Sequence, residues 1–183
     1  MSAQTYMPYI PEMMEHIQRI YEWNERVDEM RMESLDIPSI QDYYTFGNYD
    51  FQNGLRMYYE ERGEYTTAML QAKTLDAIDA LVDQFVVAIW EIRKCALSEA
   101  YEHIEFWEAR VKDAYWKITD LIQSYNRASN IEEMLANDEL LQRCFREVID
   151  KLFTRFGDDC YIDENGKFKK STDFQEPDFS FLN

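Results

Sequence analysis

Residues 75–97, LDAIDALVDQFVVAIWEIRKCAL, contain the most apolar part of the chain and constrain its fold more than any other segment. Ile78, Leu81, Val82, Phe85, Val86, Ile89 and Trp90 recur through this run, and Asp79 and Asp83 interrupt it. An unpaired carboxylate in apolar surroundings is costly. Either these aspartates look outward to water, or they are held at a helix interface by metal or by basic residues.

The flanking segments also have helical period. Apolar residues at Met13, Ile17, Ile20, Tyr21, Trp23 and Val27 predict an amphipathic helix reaching about Glu33, which Pro38 ends or follows. The stretch SIQDYYTFGNYDFQNG predicts a short helix and then an irregular connection. Its Tyr43, Tyr44, Phe46 and Tyr49 could stack on a base, although core packing is the more frequent use of such residues. A second long helix is predicted from Leu55 to Lys73, where Gly63 costs about 1 kcal/mol relative to Ala. Thr74 suits the N-cap of the apolar third helix, with Asp76 in its first turn.

A more polar helical stripe runs through Tyr101, Ile104, Trp107, Val111, Tyr115, Ile118 and Ile122. A polar break follows at NRASN, 126–130. The next amphipathic segment has Leu135, Leu140, Leu141, Phe145, Val148, Ile149 and Leu152 inward. From Gly157 onward turn signals replace periodicity. With only 5 Gly and 4 Pro in 183 residues, the expected fold is a single all-α domain over 1–183, a bundle of about five long helices with an irregular C-terminal tail.

A formal net charge of −17 disfavours unaided binding to nucleic acid or to anionic membranes. Cys95, Cys144 and Cys160 are odd in number and show no CxxC pattern, so neither a disulfide framework nor a zinc site is expected, and a reducing compartment fits. The opening MSAQTYMPYIPEMMEHIQ lacks a basic and then apolar leader, and no stretch approaches a membrane span, so the expectation is a soluble, cytoplasmic protein. His16 and His103 are isolated and read as ordinary helical residues.

Residues three or four apart share a helix face, so Glu61 and Glu64 project together, as do Asp76, Asp79 and Asp83. If the two helices pack antiparallel through a short turn near Lys73, Glu60, Glu61, Glu64, Asp76, Asp79 and Asp83 form a cluster that is tolerable only with cations between the carboxylates. Magnesium suits such an all-oxygen set. The bland alternative is a solvated acidic face in a chain with 36 acidic residues.

EERGE at 60–64 matches EExxE, and DAID at 76–79 resembles the ExxD that follows it, at the right separation, in MazG-like and phosphoribosyl-ATP-pyrophosphohydrolase-like all-α nucleotide pyrophosphohydrolases. DAIDALVDQFVV resembles the corresponding helix of phage-type members. LFTRF at 152–156 and DENGKFKKSTDFQEPDFSFL resemble their N-x-S-K-F, D-x-x-G-K-x-x-K and aromatic-x-x-P-D elements. Relative to compact members, the segment near 98–136 reads as a helical insertion. The sequence departs from the pattern in three ways. Asp76 is one methylene shorter than Glu, Leu152 replaces an Asn, and Thr154 and Arg155 replace Ser and Lys.

The resemblance implies hydrolysis of a nucleoside triphosphate, NTP or dNTP, to the monophosphate and pyrophosphate with Mg²⁺ or Mn²⁺, in nucleotide-pool control, by a homo-oligomer of two or four subunits. It implies Glu61, Glu64, Asp76 and Asp79 as metal ligands. Glu60, Glu61 and Asp83 are left for a further ion, ligand orientation or the proton of the attacking water, and Arg155, Lys151, Lys167 and Lys170 are the candidate phosphate contacts. The competing reading is a non-catalytic acidic helical protein that imitates DNA.

Overall fold

The computed structural model describes residues 6–125 and 131–182; the break predicted at 126–130 and the first five residues lie outside them. Within the described residues the chain forms α1 (Met14–Leu35), α2 (Ile40–Tyr43), α3 (Phe51–Leu70), α4 (Thr74–Leu97), α5 (Ile104–Tyr125) and α6 (Ile131–Phe153). A two-residue antiparallel pair, β1 (Tyr161–Ile162) and β2 (Phe168–Lys169), follows in the tail. The fold is an all-α bundle with five long helices. None of the described helices is long and apolar enough to cross a membrane.

The apolar run is the axis of the bundle. Helix α4 packs most extensively on α3 and α5 and also touches α1 and α6, and its Ile78, Leu81, Phe85, Ile89 and Ile92 are fully buried. The polar-looking α5 is part of the same core, with Ile104, Trp107, Val111, Ile118 and Ile122 buried against it.

Local chemistry moves several predicted boundaries. Helix α3 starts at Phe51 rather than Leu55, because the Asp50 carboxylate accepts from the backbone N–H of Gln52 (2.9 Å) and Asn53 (3.2 Å). Asn53 and Gly54 are therefore helical. Gly54 is buried where a β-carbon would collide with the carboxylate of Glu91, so its bare backbone lets α3 lie close on α4. Thr74 is not the N-cap of α4. Lys73 takes that position with no side-chain cap bond, after a tight turn with Ala72 in the left-handed region at φ +54°. Leu135, expected inward, is 63% exposed, and Tyr101 is exposed as well.

The tail is pinned rather than loose. Asp159 accepts from the Ser171 hydroxyl and from the backbone and hydroxyl of Thr172, closing the loop between them, and these bonds hold its carboxyl down at about 2. Asp163 accepts from the backbone N–H of Asn165 (3.0 Å) and Lys167 (2.9 Å), forming a tight turn with Gly166 at φ +74°. Arg31 on α1 donates through Nε to the Gly166 carbonyl (2.9 Å), which fixes this turn on the bundle.

Candidate functional site

The α3–α4 hairpin sets the register of the carboxylates. Glu64 and Asp79 lie nearer the turn, and Glu61 and Asp83 lie about one helical turn beyond them on their two helices. Glu61 is raised to about 8, first by burial and then by the negative charges of Asp83, Glu64 and Asp79. Asp79 is raised to about 7 by burial, Asp83, Glu176 and Glu64. Asp83 rises to about 6 through burial, with Arg155 and Lys170 pulling it down and Glu64 and Glu176 pushing it up. These three side chains are half-buried, and Asp79 Oδ1 is buried with no hydrogen-bond partner among the described residues.

The six predicted carboxylates therefore divide. Glu61, Glu64, Asp79 and Asp83 feel one another. Glu60 is exposed and paired with Arg56 (2.6 Å), and Asp76 is exposed beside Lys73 (3.6 Å). Spacing alone groups Asp76 with Asp79 on one face, but Asp76 sits a turn nearer the hairpin end, where solvent and Lys73 satisfy it. Glu60, Glu64, Asp76 and Asp79 still share the lining of an open cavity of about 850 Å³, which the tail residues Asp178 and Phe179 also border. Glu176 joins the acidic group from the tail, and no motif pointed to it.

Among the described residues no three His, Cys, Asp or Glu side chains converge as a ready-made metal ligand set. The donor chemistry nevertheless suits a hard cation. The donors are all oxygens, the charges raise one another's proton affinity, and Asp79 Oδ1 is an orphaned buried acceptor.

The predicted phosphate contacts also divide. Arg155 exerts its charge on Glu61, Asp79 and Asp83, and Lys170 on Asp83, while the Lys170 ammonium lies 3.3 Å from the centre of the Phe174 ring. Lys167 lines a second cavity of about 350 Å³ together with Arg155. Lys151 lines neither cavity and is held by Gln175 (2.8 Å) and Glu147 (3.7 Å). Of the predicted aromatic segment, Tyr43 and Tyr44 border the second cavity. Tyr49 turns away to the Cys95 thiol (3.0 Å), and the side chain of Phe46 lies outside the described residues.

His16 and His103 serve packing. His16 stacks on Phe145 and bonds Gln142 (2.8 Å), with burial lowering its pKa, and His103 stacks on Phe51.

Trp23, Arg31, Arg56, Trp90 and Lys94 all line the second cavity, and none of them was expected at a site from the sequence. A signal was present for Lys94. Glu91, Arg93 and Lys94 interrupt the same apolar helix that Asp79 and Asp83 interrupt, and the cost of burying charge applies to them equally. In the structure Glu91 is 0% exposed and pairs with Lys94. Arg93 shares the buried Asp28 with Arg31, and the Tyr44 hydroxyl completes that network (3.0 Å to Asp28). Compared with known proteins, the chain matches no family model, no curated protein and no solved structure.

Proposed function

We propose that the protein is a Mg²⁺- or Mn²⁺-dependent nucleoside triphosphate pyrophosphohydrolase that releases the monophosphate and pyrophosphate. The observation that carries this reading is the group Glu61, Glu64, Asp79 and Asp83, all but Glu64 half-buried, whose negative charge is opposed by Arg155 and Lys170 without a direct ion pair among the described residues. The likeness of EERGE, DAID and the tail to MazG-like enzymes supports it, including the phage-type members.

Glu61, Glu64, Asp79 and Asp83 are the residues that would hold the cation, which when bound supplies charge neutralisation for the triphosphate and acidification of a water. Arg155 presents a planar fork suited to two oxygens of one phosphate, and Lys170, which also acts on Asp83, adds a point charge. The attacking water forms a bond to the first phosphorus, its proton passes to Glu61, and the bond to the bridging oxygen breaks as pyrophosphate leaves.

Glu60, Asp76 and Lys151 have partners of their own and are not assigned roles. A cytoplasmic location accords with three free thiols, and a dimer or tetramer is what the likeness to MazG-like enzymes implies.

Incubating the protein with a panel of NTPs and dNTPs and Mg²⁺ or Mn²⁺ should release pyrophosphate from at least one of them. No turnover of any would sink the proposal. The DNA-mimic reading rests on the charge of −17, and it predicts that Glu64→Gln and Asp79→Asn leave the protein's behaviour unchanged. Half-buried carboxylates are poor imitations of exposed phosphates, which favours the enzyme.

A further inference from the structure

The second cavity differs in chemistry from the rest of the molecule. The chain has 36 acidic and 19 basic residues, yet among the described residues no Asp or Glu lines this cavity, whereas Arg31, Arg56, Lys94, Arg155 and Lys167 do. Three of these cations have partners. Arg56 pairs with Glu60, Lys94 with Glu91, and Arg31 with Asp28, which also serves Arg93. Arg155 and Lys167 make no salt bridge among the described residues. Their two charges match the charge of about −2 on a phosphate monoester near neutral pH.

Aromatic rings share the lining with these cations. Trp23 and Trp90 meet edge to face at 5.8 Å, Lys94 lies 4.4 Å over the Trp90 ring, and the Arg31 guanidinium lies 5.4 Å over Tyr43. Aromatic faces beside unpaired cations recognise an aromatic ring bearing an anion. A volume of about 350 Å³ lies at the small end of ligand pockets and suits one nucleoside monophosphate rather than an extended triphosphate. Arg155 lines this cavity and also exerts its charge on Glu61, Asp79 and Asp83, so the cavity adjoins the carboxylate group without containing any of its members.

We propose that this cavity holds the nucleoside monophosphate half of the substrate through contacts of the chain alone, so that the monophosphate binds with no divalent cation present. The choice of nucleotide rests on the pyrophosphohydrolase reading; the cation-and-aromatic lining does not.

The test is a calorimetric titration of the full chain in excess chelator at about 0.15 M salt, with tryptophan fluorescence as a second signal from Trp23 and Trp90. The probes are the ribo- and deoxynucleoside 5′-monophosphates, the matching nucleosides and inorganic pyrophosphate. At least one monophosphate should bind saturably, and more tightly than its nucleoside and than pyrophosphate. Lys167→Ala, at an exposed position where folding is not at stake, should weaken it about tenfold, and Trp90→Leu should weaken it with the circular dichroism spectrum unchanged.

No binding of any monophosphate, equal binding of pyrophosphate, or full affinity in Lys167→Ala would overturn the proposal. Hydrolysis of a triphosphate with no monophosphate binding would overturn this inference alone. Monophosphate binding with no hydrolysis would uphold it and count against the catalytic reading.

Discussion

At the scale of single residues, the abnormal proton affinity of Glu61, Asp79 and Asp83 makes stability depend on pH. In an unfolded chain such carboxyls titrate near 4, whereas in the folded protein they titrate at about 8, 7 and 6. Between those limits the folded state binds more protons than the unfolded state, so stability falls as pH rises through the window, and the full penalty is present above it. For the metal-free protein we expect a loss of several kcal/mol between about pH 5 and pH 8, about 7 kcal/mol if the three groups titrate independently. Urea denaturation in chelator measures it, and Asp79→Asn should flatten the profile. A wild-type profile that is flat or rises with pH would contradict this.

On the proposed pyrophosphohydrolase reading, turnover should separate the same residues from their neighbours. Glu61→Gln and Asp79→Asn should each lower kcat about 100-fold or more. Glu60→Gln removes only an exposed pair with Arg56 and should stay within about threefold.

At the scale of elements, two glycines of α3 make opposite predictions. Gly63 is exposed, and a β-carbon placed there would meet open space, so Gly63→Ala should stabilise the helix by roughly 0.5–1 kcal/mol. Gly54 faces the buried carboxylate of Glu91, and Gly54→Ala should cost about 1–3 kcal/mol despite the same gain in propensity. Equal effects at the two sites, measured by urea denaturation, would show that the close approach of α3 and α4 is wrong.

The apolar period of α4 and the i, i+3 spacing of Glu61 and Glu64 were legible in the sequence, because both depend only on helix geometry. The start of α3 was not. It rests on Asp50 outcompeting the turn signals of Asn53 and Gly54. Asp83 could be grouped with the other carboxylates but not given its partners, because which carboxylates meet depends on the register across a hairpin. The second cavity was the least legible part. It assembles α1, the aromatic segment, α3, α4 and the tail turn at Gly166, contacts that no local pattern encodes.

At the scale of the whole molecule, a chain of net charge −17 concentrates negative charge around its own half-buried carboxylates and surrounds one cavity with cations. On the proposed reading, an ion that offsets the first would stabilise the folded protein, because binding to the folded state alone shifts the unfolding equilibrium.

The most direct test of that claim is thermal unfolding at about pH 8 during a Mg²⁺ or Mn²⁺ titration, compared with NaCl at matched ionic strength, for wild type and Asp79→Asn. The divalent ion should raise the wild-type Tm by about 5 °C or more beyond salt, and the variant's by much less. A rise no greater than that given by NaCl, or one equally large in Asp79→Asn, would contradict the assignment of Glu61, Glu64, Asp79 and Asp83 as a cation site.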